Sequence, residues 1–135
     1  MQAYEIAPEI RMTRDMDLIR TLLLWIEAQP QLDGTRWLAP DKPEDVGVSD
    51  HSIEEVQYHL NLLIEAGFVE GKSFDAAGTV VFSRLTWKGH EFLENIKDVS
   101  VWKQVKARIE GLSGVALTVV AELAKAEIKK RLGLP

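Results

Sequence analysis

A mostly helical α+β fold is what this sequence predicts, on three observations. Ser52 followed three residues later by Glu55 forms a capping box ahead of an amphipathic helix. Two runs rich in β-branched and aromatic residues, Phe68–Phe74 and Thr79–Leu85, flank Asp75-Ala76-Ala77-Gly78 and predict an antiparallel β-hairpin. Apolar residues recur at three- and four-residue spacing on either side of these elements, the signature of further helices. With 135 residues, 46% of them hydrophobic, the chain can bury one ordinary core and carry a helical appendage.

Residues 1–13 are read as an N-terminal extension that Tyr4, Ile6 and Ile10 could dock. Thr13 is placed to cap a first helix through about Ala28, with Met16, Ile19, Leu22, Leu23 and Ile26 on one face, and Pro30 stops it. Pro30 to Ser49 holds three prolines and two glycines, so a loop is expected, with a short strand at Arg36–Leu38 and a helical turn at Pro43–Val46. The capped helix then runs to Ala66, where Gly67 supplies a left-handed stop. Placed at 100° intervals, Ile53, Val56, Leu60, Leu63 and Ile64 face the core, and Glu54, Glu55, Tyr58, Asn61, Leu62 and Glu65 face outward. His59 falls at the edge of the buried face, where a neighbour would satisfy one ring nitrogen.

Beyond the hairpin, Thr86 caps a helix whose apolar stripe is Trp87, Phe92, Leu93 and Ile96, and Gly89 offers a point of close approach to the hairpin. A further helix covers Val101 to Ile109. Gly111 and Gly114 bracket a break before Val115–Leu132, a helix that is apolar at first and basic at its end, as its macrodipole favours. Leu117, Val119, Val120, Leu123 and Ile128 spread over more than one of its faces. That pattern fits a helix packed on both its own core and a second protomer, and equally a helix buried in one core. The expected organisation is the extension over 1–13, a domain over 14–98 and a helical extension over 99–135.

The order helix, irregular region, capped helix, hairpin, helix is that of a winged helix-turn-helix with a small hairpin wing and additional C-terminal helices. Arg14-Asp15-Met16-Asp17-Leu18-Ile19-Arg20, Tyr58-His59-Leu60 with Leu62-Leu63 and Glu65-Ala66-Gly67, and Arg84-Leu85-Thr86-Trp87 with Gly89-His90-Glu91-Phe92-Leu93 resemble an uncharacterised winged-helix family of bacteria, phages and prophages, over roughly Arg14 to Leu132. Glu44-Asp45-Val46-Gly47-Val48 and Leu85-Thr86-x-x-Gly89 are similar to the smaller relatives of the YjcQ type. The resemblance implies the fold and says little about activity.

Charge poses the functional question. From Pro43 to Gly71 there is no lysine or arginine, while Glu44, Asp45, Asp50, Glu54, Glu55, Glu65 and Glu70 all fall there. A helix that reads duplex DNA draws most of its affinity from cations on phosphates, so the helix in the recognition position contradicts the function that position implies. Residues 1–98 carry nine Lys/Arg against eighteen Asp/Glu, and residues 99–135 carry seven against three. The body is acidic and the tail basic.

A non-catalytic binding protein is therefore expected, a regulatory or inhibitory module that meets a protein partner through Glu54, Glu55, Tyr58, Asn61, Leu62 and Glu65. It would act as an adaptor on a basic surface or as an acidic occupant of a nucleic-acid groove. The alternative is a dimeric DNA-binding transcription regulator, paired through residues 115–132, with Arg36, Lys42, Lys72, Arg84, Lys129, Lys130 and Arg131 supplying the cations.

Enzyme chemistry is not expected, and neither is a cofactor. His51, His59 and His90 lie in separate elements without paired ligand spacing, no Gly-rich run ends in Lys-Ser/Thr, and no serine or threonine stands beside a histidine in a nucleophile motif. Absence of cysteine excludes disulfides and thiolate metal sites and fits a cytoplasmic setting. No run of signal-peptide or membrane-spanning length is present.

Overall fold

A computed structural model of the chain describes residues 13–74, 79–112 and 114–135. The element order is α1 (Met16–Glu27), a single 3-10 turn (Pro43–Val46), α2 (Ile53–Glu65), β1 (Val69–Phe74), β2 (Thr79–Leu85), α3 (Trp87–Ile96), α4 (Val99–Ile109) and α5 (Leu117–Arg131). The expected docking of Tyr4, Ile6 and Ile10 and the turn Asp75–Gly78 lie outside the described residues.

Leu18, Ile19, Leu22, Leu23 and Ile26 are buried on α1, which packs against α2, α3 and β2 and forms the centre of the core. Val56, Leu60 and Leu63 of α2, Phe92, Leu93 and Ile96 of α3, and Phe68 and Phe82 close around it. The same apolar cluster continues through Val101, Trp102 and Val105 of α4 to Leu117, Val120 and Ala124 of α5.

Several expectations need correction. The cap of α1 is Asp15 rather than Thr13: the Asp15 carboxylate accepts from the amides of Asp17 and Leu18 at 3.0 and 3.1 Å, two of the donors a helix start leaves orphaned. Asp98 caps α4 in the same way, which starts that helix at Val99 rather than Val101, and the last helix begins at Leu117 rather than Val115. Trp87 does not join the apolar stripe of α3. As the first residue after the Thr86 cap it overhangs the helix end, 78% exposed. Ile53 and Ile64 are only partly buried.

The hairpin pairs Val69 with Leu85 and Glu70 with Arg84, then shifts register so that Gly71 faces Phe82. Ser83 is the extra residue of this bulge, buried with no partner for its hydroxyl among the described residues. The strand expected at Arg36–Leu38 is reduced to one bridge, in which Leu38 and Phe82 exchange both backbone hydrogen bonds, at 2.8 and 3.0 Å.

Two helices end in the same left-handed turn. At α2, Gly67 (φ 84°) donates to the Ile64 carbonyl and Phe68 donates to the Leu63 carbonyl, at 3.0 and 2.9 Å. At α5, Gly133 (φ 72°) donates to Lys130 and Leu134 to Lys129, at 3.2 and 2.8 Å. Both are Schellman motifs, which satisfy carbonyls that the helix itself cannot. Gly89 sits where any Cβ would collide with the Phe68 carbonyl, so its lack of a side chain lets α3 close over the α2–β1 junction.

Candidate functional site: the outer face of α2

The orientation of α2 is set at its N-terminal end. Ser52 Oγ accepts from the Glu55 amide at 3.1 Å, and Glu55 Oε1 accepts from the Ser52 amide and hydroxyl at 3.0 and 3.2 Å. One oxygen of the partly exposed Glu55 carboxylate is thus engaged in the capping box the sequence predicts.

One turn further on, His59 is buried and satisfied at both ring nitrogens, one more than expected. Its Nε2 accepts from the Asp15 amide and its Nδ1 donates to the Glu55 carbonyl, both at 2.7 Å. That pattern defines a neutral imidazole protonated at Nδ1. Burial pushes the His59 pKa below the ordinary histidine value, against a smaller opposing effect of the Glu55 carbonyl.

His51 lies between two carboxylates, with Nε2 at 3.1 Å from Asp15 Oδ2 and Nδ1 at 2.9 Å from Asp50 Oδ1. Desolvation lowers its pKa, but the hydrogen bonds to Asp15 and Asp50 outweigh this and raise it overall. Burial likewise pushes the Asp15 carboxyl up, and the bonds from His51 and the Leu18 amide more than reverse that, leaving it below the usual value. Asp15 therefore ties the start of α1 to the middle of α2 through its amide and to the segment before α2 through its side chain.

On the outer side, Glu54, Tyr58, Asn61 and Glu65 follow one another at i, i+4, i+7 and i+11, a single stripe along α2. Glu54 and Glu65 are exposed at its two ends. Tyr58 and Leu62 do not point straight into solvent as expected. They are half-buried and line a cleft of about 530 Å³ with Met16, Ile109, Leu112 and Val115, because the segment between α4 and α5 returns beside them. Among the described residues Arg14 is the one cation in its wall. Leu112, at the edge, is 61% exposed. Sequence reasoning missed Arg14, Ile109 and Leu112 as cleft residues; Gly111 and Gly114 were the only signal of a change in chain direction.

The cations named for nucleic acid lie on the loop between α1 and α2, on the hairpin and at the end of α5. Arg36, Lys42 and Lys72 are exposed. Arg84 pairs with Glu70 across the hairpin, its Nε at 3.3 Å and its Nη2 at 3.4 Å from the two carboxylate oxygens. Arg131 donates to Glu127 at 2.9 Å and to Ser100 at 2.7 Å. It also holds the Glu127 carboxyl below its ordinary pKa. Lys129 and Lys130 are exposed, with no acidic partner among the described residues. They stand near the far end of the 15-residue α5, about 18–20 Å by helical rise from the cleft where that helix begins. A second cleft of about 610 Å³ lies between α3 and α5 with Trp87 at its rim, lined by side chains of both signs.

Among the described residues no group of three or more His, Asp or Glu side chains is arranged to hold a metal ion, and no helix is long and apolar enough to cross a membrane.

The molecule is thus a small, mostly helical α+β protein with an acidic helix beside a cleft of mixed lining. It belongs to DUF2513, a family of hypothetical proteins, which matches residues 13–116. It is similar to an uncharacterized protein of Haemophilus influenzae (strain ATCC 51907 / DSM 11121 / KW20 / Rd), 33% identical over 124 residues that cover 90% of this chain and 99% of the relative. No solved structure matches it.

Proposed function

We propose that the chain is a non-catalytic winged-helix protein that binds a protein partner through α2 and the cleft beside it. The element order supports the winged-helix reading, as does the Leu38–Phe82 bridge, which adds a third strand position next to the hairpin between α1 and the 3-10 turn. The observation that carries the binding reading is the composition of α2 in the recognition position. Glu54 and Glu65 end the stripe, Tyr58, Asn61 and Leu62 lie between them, and no lysine or arginine is present. Such a face repels phosphates and pairs with lysine or arginine.

Exposed ion pairs contribute only about 0.2–1 kcal/mol each. Affinity therefore has to come from apolar side chains entering the Tyr58–Leu62 cleft, at roughly 25 cal/mol for each Å² buried, and the glutamates select a basic neighbour for that anchor. The partner's contact segment is a short apolar stretch flanked by cations.

Fluorescence anisotropy with random-sequence duplex DNA across a salt titration, run beside affinity capture from a bacterial lysate, tests this. Expected are no duplex binding even at low salt, and a captured protein that Glu54→Lys/Glu65→Lys releases. Duplex binding that falls steeply with salt would overturn the proposal in favour of a DNA-binding regulator. Capture unaffected by the double substitution would move the contact surface away from α2.

A further inference from the structure

We infer that a second copy of this chain fills the α2 cleft, entering by the turn at the end of α5, residues Lys129 to Leu134. The inference rests on the reading of α2 as a docking face and names its occupant. That occupant has to bring an apolar anchor with cations beside it, and the chain itself carries such a segment. Leu132 and Leu134 are 67% and 54% exposed, next to Lys129 and Lys130, which are exposed and have no acidic partner among the described residues.

The segment is also ordered in advance. The Schellman bonds from Gly133 and Leu134 fix the backbone, and Arg131 is held by Glu127 and Ser100, so the two leucines are presented on a rigid end. An apolar anchor that is already ordered loses less conformational freedom on docking than a loose tail does.

Charge favours the pairing. Glu54 and Glu65 share the outer stripe of α2 with the cleft residue Tyr58, and Glu110, next in sequence to the cleft residue Ile109, is exposed as well; among the described lining residues Arg14 is the one opposing charge. A chain cannot dock its own turn, because α5 begins at the cleft and ends about 22 Å away. The contact is therefore between copies and heterologous, one copy's turn in the next copy's cleft. Repetition of such a contact builds open chains of copies, or rings where the geometry closes.

Light scattering on the full-length chain over a wide concentration range tests it. The expected result is a mass that rises past two copies with concentration and falls with added salt. Leu132→Glu/Leu134→Glu removes the turn and Glu54→Lys/Glu65→Lys removes the cleft, and each should weaken association by about tenfold or more. Mixed in equal amounts, the two variants should form a one-to-one complex that grows no further, since only one good contact remains; this also shows that both are folded. A wild-type chain that stays monomeric overturns the inference while leaving protein docking to be judged by the capture experiment. A mass that stops at two copies and survives both double substitutions also overturns it, in favour of symmetric pairing elsewhere.

Discussion

The turns that end α2 and α5 share one backbone and differ in what becomes of the apolar residue after the glycine. Phe68 is fully buried, its ring stacked on Phe92 with centroids 4.7 Å apart and its carbonyl accepting from the Thr86 amide at 3.0 Å. Leu134, in the matching place, is more than half exposed. After Phe68 the chain makes a hairpin and returns as α3, whose Gly89 lets it close over the junction. No described element returns over Leu134. The turn itself is encoded locally, and burial depends on what the rest of the chain brings back. The first turn is therefore part of the core, while the second presents a leucine to solvent.

Phe68→Ala breaks the first turn's tertiary role and should cost about 3–5 kcal/mol in urea denaturation, whereas Leu134→Ala should stay within roughly 0.5 kcal/mol of wild type. Equal effects at the two positions would show that Leu134 is covered after all.

The middle of α2 supplies the next largest effect. His59→Leu leaves the Asp15 amide without its acceptor and should cost about 1–3 kcal/mol at neutral pH. Its pH dependence follows from the lowered pKa. The unfolded chain takes up a proton near the ordinary value of 6.5 while folded His59 still resists, so the wild type loses stability as pH falls from there through the folded value. His51, with its raised pKa, acts the other way: its contribution is present below 6.5 and lost as pH rises through its folded value. The gap between His59→Leu and wild type should accordingly narrow on acidification, and His51→Asn should steepen the acid loss. Thermal melts from pH 8 to 5 check both.

The glycines themselves give the finest comparison. A Cβ at Gly67 would come no nearer than 4.0 Å to the Lys88 side chain, and at Gly133 it would meet nothing, so both substitutions strain only the backbone. Gly67→Ala should lower global stability by about 1–2 kcal/mol. Gly133→Ala carries similar local strain, yet the end of α5 can fray without unfolding the core. Its global effect should be below about 0.5 kcal/mol, with faster hydrogen exchange at the Leu134 amide as the visible consequence.

What was legible in the sequence was local. The Ser52–Glu55 box, the Gly67 stop, the Pro43–Val46 turn, the Thr86 cap and the paired strands each depend on residues within a few positions of one another. Asp15 was missed in favour of Thr13 because both are competent caps, and the choice is made by His51 and His59, 36 and 44 residues away. A helical wheel put Tyr58 and Leu62 outward because it treats α2 as if it were alone; the returning segment before α5 half-covers them. The pairing of Arg84 with Glu70 follows from a cross-strand register that a bulge at Ser83 shifts, and the run of residues gives no sign of the bulge. Arg131 with Glu127 was readable as an i, i+4 pair, but its reach to Ser100 was not.

Asp15 accepts from the start of α1, meets His51 with its second oxygen and gives its amide to His59. Substitutions around it should for that reason not act independently. Once Asp15 has lost its carboxylate, the later loss of His51 removes an interaction already gone, so whichever change comes first carries most of the damage. A lineage that crosses this junction would tend to change both positions in close succession, and the route it takes would be set by epistasis at one aspartate.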